Sequence, residues 1–392
     1  MQYVLGNMLN GGGGLNPDGL SLDLQFAADK TLTARKGPTP VLTRASTGTF
    51  VGSNGLIQTA AINIPRFDHT SAGVCRGLLL EESRTNICRQ SENFGSFWST
   101  VGCAVSIDTD VAPDGNTTAD SVNITNGGGH FVVQNISVSA STVYTFSFWV
   151  KRGTATALSY SIVNSNTGSN IVAPTSYYNQ TSSAWARVSF TFTTPVGCTG
   201  IAVYILRDGG STGTVLLWGA QVEVGSFATS YIQTGAGSVA RSADVCSITG
   251  GDFTSFWNRF AGTCVIGVGS SVAGGGRFIS NNSAARALEL FHNAGLTGID
   301  FLEAAGSNEI RVITAPIFPV KLGLAYAIND YQSSANGILG GVDTNTGGTI
   351  PDPNALHIGN LGGSAPRFTG HIQSIRYYRK RLPNAKLQAL TV

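Results

Sequence analysis

Paired carboxylates, a serine beside a histidine and clustered cysteines are the groups through which this chain could do covalent or metal chemistry, and spacing decides whether they can. Glycoside hydrolysis needs two carboxylates facing each other across a cleft. The nearest approaches are Glu81-Glu82, Asp300 with Glu303, and Glu309. Adjacent residues on a strand point to opposite faces, so Glu81 and Glu82 do not pair, and Asp300-Phe-Leu-Glu303 has the wrong parity for one face. Gly209-Gly-Ser-Thr-Gly213 has the spacing of a nucleophile turn, but such a turn joins a strand to a helix, and here it separates two candidate strands. His69, His130, His292, His357 and His371 have no obvious Ser or Cys partner in the sequence. The six cysteines form no C-x-x-C, and no histidine stands at metal-ligand spacing, which gives zinc no support. Gly11 to Gly14 and Gly274-Gly-Gly276 lack the Lys-Ser/Thr that completes a phosphate cradle. These residues predict a protein that is not an enzyme and carries no cofactor.

The elements that would position any site are β-strands. Only 12% of the 392 residues are charged and 50 are glycine; ordinary chains have about 25% charged residues and about 7% glycine. Helix surfaces are built from Glu, Lys and Arg, and glycine weakens helix interiors, so a helical protein is excluded. Disorder is excluded by a hydrophobic content of 42%. The net charge is +2, and the densest basic cluster, Arg376, Arg379, Lys380, Arg381 and Lys386, reads as a solvated strand edge and terminal turn, not a nucleic-acid stripe. No run approaches the roughly 18 apolar residues of a membrane span. Met1-Gln-Tyr-Val-Leu5 lacks the basic start of a signal peptide, and the scattered cysteines suit buried thiols of a chain folded in a reducing cytoplasm.

Three regions differ in texture. Residues 1–90 contain short β-like pieces, Ser21–Phe26, Thr49–Val51 and Gly55–Thr59, too short for a core of their own, which reads as an N-terminal arm leaning on something else. Residues 91–235 alternate with period two: Tyr144, Phe146 and Phe148 point one way, Thr145, Ser147 and Trp149 the other. Ala186–Phe192, Gly200–Leu206 and Thr214–Glu223 repeat the pattern, as expected for a jelly roll. Residues 243–392 begin again with Phe253–Trp257 and Gly262–Val268, continue through Lys321–Ala327 and Gly370–Tyr378, and close on a short helix from Pro383 to Leu390. The expected fold is all-β: an extended N-terminal arm with short strands, followed by two β-sandwiches.

Several strings resemble modules of tailed-bacteriophage virion proteins. Leu42-Thr-Arg-Ala-Ser-Thr47, Pro65-Arg-Phe-Asp68 and Gly77-Leu-Leu-Leu-Glu-Glu-Ser-Arg-Thr-Asn86 are similar to an N-terminal virion module. Gln90-Ser-Glu-Asn-Phe94, Ala112-Pro-Asp-Gly115 and Gly219–Ile232 look like a carbohydrate-binding-module-like jelly roll. Gly370-His-Ile and Tyr377 to Leu390 resemble the close of concanavalin A-like, or laminin G-like, domains. The resemblance implies a virion protein assembled in the bacterial host cytoplasm, partnered by capsid or tail proteins and by itself as a homo-oligomer, a trimer by similarity to fibres. Tail fibres, head fibres, spikes and decoration proteins all use such modules, so the fold does not decide between host attachment through bacterial surface glycans and a purely structural role. A depolymerase would need active carboxylates that the spacing does not supply.

A sugar site in such a jelly roll sets an aromatic face against the apolar face of a pyranose, with polar groups around it. With the triple-aromatic face lining the core, Trp149, Trp185, Tyr177 and Tyr178 are the candidates to lie outward, the alternative being that they pack against the other domain or a neighbouring subunit. Trp98 and Trp218 read as core. In the second sandwich Asn329 and Tyr331 are the chosen loop candidates, alongside Asn281, Asn282, Asp330, Asp343 and Asn345. Asp343-x-Asn345 with Gly347-Gly348 has calcium-compatible oxygen ligands but lacks the full loop pattern, and turn chemistry explains it equally well.

Overall fold

The computed structural model describes residues 19–126, 128–207, 212–272, 276–280, 289–293, 296–300, 318–328, 330–343, 353–360 and 368–392. Their architecture is all-β, in two sandwiches. In the first, Ala186–Thr193, Val143–Arg152, Gly213–Val224, Ala119–Ile124 and Cys103–Asp110 form one antiparallel sheet. Asn170–Ser176, Ser159–Asn164, Gly200–Arg207, Phe131–Ser137 and Ser99–Val101 form the other. The period-two pattern decides which faces meet. Tyr144, Phe146, Phe148 and Val150 point inward beside Val188, Phe190 and Phe192, against Tyr160, Ile162, Ile201 and Val203 of the facing sheet. Tyr160 stacks on Phe190 at 3.6 Å between ring centres. Each large apolar side chain buried this way contributes about 1.5–3 kcal/mol.

The second sandwich is assembled from both ends of the chain. Its larger sheet runs Ile338–Asp343, Asp330–Ala335, Val320–Ala327, Ala261–Ser271, Gly370–Tyr378, Cys75–Leu80, Phe67–His69, and Leu20–Leu24 also pairs with Gly370–Tyr378. Its second sheet places Val41–Thr43 beside Val245–Thr249, followed by Ala355–Ile358, Gly276–Ser280, Glu289–Asn293 and Leu296–Asp300. Leu22, Leu24, Phe26, Leu78 and Leu80 are fully buried in one core with Ile266, Ile372 and Ile375. Residues 20–86 are therefore not a free-standing arm. What they lean on is the C-terminal half of their own chain, and the first sandwich is inserted between the two parts. Strands of three to six residues look inadequate locally because their partners lie up to about 360 positions away. The burial that these short strands lack on their own is supplied within the chain.

Two local expectations meet different outcomes. Phe253–Trp257, read as a strand opening, is instead part of a helix, Gly250–Phe256, because Phe253 and Phe256 fall three apart on one face and both enter the second core. The closing helix, Asn384–Leu390, forms where expected, with Pro383 as its N-cap and Leu387 fully buried.

Candidate functional site

The strings Leu42–Thr47, Pro65–Asp68, Gly77–Asn86 and Gly219–Ile232 meet where the sandwiches join, and Arg44, Arg66 and Glu81 from them form one buried network with Arg241 and Asp244. Arg66 donates from Nη1 to Glu81 Oε2 at 2.7 Å and from Nη2 to Asp244 Oδ2 at 2.5 Å. Arg44 Nη1 reaches Asp244 Oδ1 at 3.0 Å, and Arg241 Nη1 reaches Glu81 Oε2 at 3.2 Å. Ser230 donates to Glu81 twice, from its backbone N–H at 2.7 Å and its hydroxyl at 2.6 Å. Burial alone would raise the Glu81 pKa, but Arg241, Arg66 and the Ser230 donors outweigh it and hold the carboxyl at about 2. Glu82, like Glu81 just past the end of the Cys75–Leu80 strand, pairs with Arg84.

Above this network the outer face of the Val143–Arg152 sheet is covered by the hairpin Gly48–Val51/Ile57–Ala60 and by residues 225–241. Thr49, Ile57 and Tyr231 line a cavity on each side of that cover. The first, about 350 Å³, is walled by Glu92, Asp114, Asn116 and Gln233, with the rings of Trp218 and Tyr231 alongside. Glu92 accepts hydrogen bonds from the Tyr231 hydroxyl and the Gln233 amide, both at 2.9 Å. Partial burial pushes its carboxyl above the ordinary range, the Tyr231 bond opposes that, and the neighbouring Asp114 charge adds to it. Trp218 donates its indole N–H to Thr118 at 3.0 Å, which fixes the ring.

The second cavity, about 380 Å³, is bounded by Trp149 and Arg187 of the first sandwich and by Asp68, Arg76, Ser270 and His371 of the second. Ser270 Oγ lies 2.6 Å from His371 Nδ1, and His371 Nε2 lies 2.8 Å from Asp68 Oδ2. The backbone N–H of Val51 donates to Asp68 Oδ1 at 2.6 Å, and Arg76 Nη2 reaches Ser270 Oγ at 3.4 Å. A carboxylate can only accept, so His371 Nε2 carries a hydrogen toward Asp68, and in the tautomer with that hydrogen alone Nδ1 accepts from Ser270.

The residues singled out from the sequence scatter. Trp149 does turn away from the jelly-roll core, but the Arg187 guanidinium sits 4.3 Å from its ring centre, taking one face from any pyranose. Trp218 and Tyr231 pack against it at 5.2 and 5.4 Å, so it serves as a wall of the second cavity. Trp185 packs partly on the same cluster and donates its indole N–H to the Val111 carbonyl at 2.9 Å. Tyr177 is core, not rim: it is 1% exposed, its hydroxyl donates to the Ile205 carbonyl, and its ring meets Phe148 edge-on. Tyr178 stays half-buried beneath the Arg152 guanidinium, away from both cavities. Tyr331 is fully enclosed in the second core, since its strand Asp330–Ala335 turns that position inward. Asn329, Asn281, Asn282, Asn345 and the span 208–211 lie outside the described residues. Among the described residues, no group of three or more His, Cys, Asp or Glu is placed to hold a metal ion.

Sequence reasoning missed Glu92, Asp114, Asn116 and Gln233, although Gln90–Phe94 and Ala112–Gly115 flank or contain three of them. It also missed the partner of His371, which is a cross-strand neighbour 101 positions away.

A family model described as a carbohydrate binding domain matches residues 90–207. No match was found among curated proteins. Among solved structures, a Ruminococcus gnavus IT-sialidase CBM40 bound to α2,3-sialyllactose aligns at 16% identity over 34% of this chain and 84% of its own, with a TM-score of 0.30. A Trypanosoma rangeli sialidase in complex with the inhibitor DANA aligns at 18% over 37% of this chain, with a TM-score of 0.29, and the chain spans only 25% of that sialidase. Bacteriophage CBA120 tailspike protein 4 aligns at 14% over 36% of this chain and 21% of its own, with a TM-score of 0.29. The segment that supplies Glu92, Asp114 and Asn116 is thus the one similar to a carbohydrate binding domain.

Proposed function

We propose that this chain is a glycan-binding protein of a tailed-phage particle, a fibre or spike subunit whose first sandwich attaches to bacterial surface polysaccharide. The observation that carries the glycan reading is the family match over 90–207, within which three polar walls of the first cavity lie. Carboxylates and amides there accept and donate to sugar hydroxyls, while the buried Trp218 and Tyr231 rings form a rigid backing behind them. The virion setting is supported by the resemblance of the junction strings to phage modules. Because residues 20–86 bury themselves within the chain, the oligomer, a trimer in this proposal, rests on that resemblance alone. Repetition of a weak site around such an oligomer would raise avidity without new contacts.

The test is retention of the full chain on immobilised host surface polysaccharide, compared with Glu92→Gln and Asn116→Ala. Each lost polar contact is worth about 1.4 kcal/mol, so retention should weaken by about tenfold per substitution. Binding that is absent in the parent chain, or unchanged in both variants, would instead favour a capsid-decoration or tail structural role without a ligand.

A further inference from the structure

We infer that the second cavity is an acyl-transfer site, with Ser270 as nucleophile, His371 as base and Asp68 as the group that orients it. Three side chains from three strands of one sheet form a continuous hydrogen-bonded chain of 2.6 and 2.8 Å, and all three line the same cavity of about 380 Å³. That is the arrangement of roles by which a serine hydroxyl is activated, whatever the order of its members in the chain. The local backbone is built for it. The pairing of Ala261–Ser271 with Gly370–Tyr378 shifts register between Val268 and Ser270, and such a bulge re-aims the next side chain. A methyl group on Gly370 would overlap the Ser270 carbonyl oxygen, so glycine lets the two strands close at this point. Asp68 is held in turn by the Val51 N–H at 2.6 Å on one oxygen, and its other oxygen takes His371 at 2.8 Å with Arg76 Nη1 beyond at 3.7 Å.

The substrate class is a short-chain ester. Phe50, Leu79 and Val272 give the cavity an apolar side for an acyl group. Arg76, whose Nη2 stands 3.4 Å from Ser270 Oγ, supplies positive charge where an oxyanion would develop. In the first step Ser270 Oγ bonds to the carbonyl carbon and its proton passes to His371 Nδ1. The carbon–oxygen bond to the alcohol then breaks, and that alcohol oxygen takes the proton. Water attacks the acyl-serine with His371 again receiving the proton, the carboxylic acid leaves, and Ser270 recovers its hydrogen. The assignment of the alcohol as a sugar hydroxyl rests on the glycan reading, since the two cavities share Thr49, Ile57 and Tyr231 as a common wall. The Ser–His–Asp chemistry does not rest on it.

The experiment treats the full chain with a biotinylated alkyl fluorophosphonate and maps the adduct by peptide mass spectrometry. Acetate release from p-nitrophenyl acetate and from chemically O-acetylated dextran is followed in parallel. The expected result is a single adduct on Ser270, absent in Ser270→Ala and at least tenfold slower in His371→Asn and Asp68→Asn. Acetate release should fall about 100-fold or more in Ser270→Ala, the lower range for losing a positioned base and its nucleophile. Ser270 is partly exposed, so Ser270→Ala should keep the parent melting temperature. No adduct at Ser270, or ester hydrolysis equal in Ser270→Ala and parent, overturns the inference. Hydrolysis of the aryl ester alone, with acetylated dextran untouched, overturns the sugar-ester assignment. Absence of glycan retention in the parent chain, or retention unchanged in Glu92→Gln, with labelling of Ser270 intact would count against the glycan reading only.

Discussion

At the scale of single residues, charge placement separates structure from recognition. Glu81 is buried with Arg66 and Arg241 and has a pKa of about 2 against an unperturbed 4.5. Its folded-state value is depressed, so its stabilising contribution is complete above pH 4.5 and disappears as pH falls through about 2. The size of that contribution is on the order of 3 kcal/mol. Glu81→Gln should therefore cost about 3–5 kcal/mol at neutral pH, because two buried guanidinium groups lose their countercharge. It should also flatten the loss of melting temperature between pH 4.5 and 2 that the parent shows, and calorimetry across that range checks both expectations. Glu92 behaves oppositely. Its pKa is raised, so it protonates earlier than an ordinary glutamate as pH falls, and a hydroxyl-accepting carboxylate is lost. Polysaccharide binding should accordingly weaken on mild acidification in the parent chain and be nearly pH-independent in Glu92→Gln, as a titration of retention against pH would show. The identity of these groups was visible in the sequence, but their burial was not. Glu81 and Glu82 fall just past the end of the Cys75–Leu80 strand, so strand parity does not govern them, and the two arginines that neutralise Glu81 arrive from positions 66 and 241.

At the scale of elements, alternation carried the reading of the long strands. Val143–Arg152, Ala186–Thr193 and Gly200–Arg207 show their inner and outer faces directly, since one face of each packs on the opposing sheet. Short strands and aromatic loop residues were less legible for a physical reason: their fate depends on distant partners. Tyr177 looks like a rim residue until the Ile205 carbonyl and the Phe148 ring are seen beside it. Leu20–Leu24 looks like part of an arm until Gly370–Tyr378 supplies its hydrogen bonds. That pairing makes a prediction. Leu22 is fully buried in the second core, so Leu22→Ala should destabilise by about 2–5 kcal/mol, as for any large core residue, and not by the few tenths expected of a mobile arm. Urea unfolding decides it, and an unchanged midpoint would show that residues 20–24 are not part of the cooperative unit.

At the scale of the whole molecule, the second sandwich is a base closed by both halves of the chain. The Arg44–Arg66–Glu81–Asp244–Arg241 network ties the N-terminal part to residues 241–244, and Ser230 on the return from the inserted first sandwich bonds to Glu81 in that network. This construction creates the two cavities, because neither exists without residues from the hairpin, the jelly roll and the 225–241 return. The most direct measurement of the central claim is hydrogen exchange of the full chain with and without host surface polysaccharide. The account predicts added protection confined to residues around Glu92, Asp114 to Asn116 and Tyr231 to Arg241. Protection placed instead on the Val320–Asp343 strands, or none at saturating polysaccharide, would contradict it.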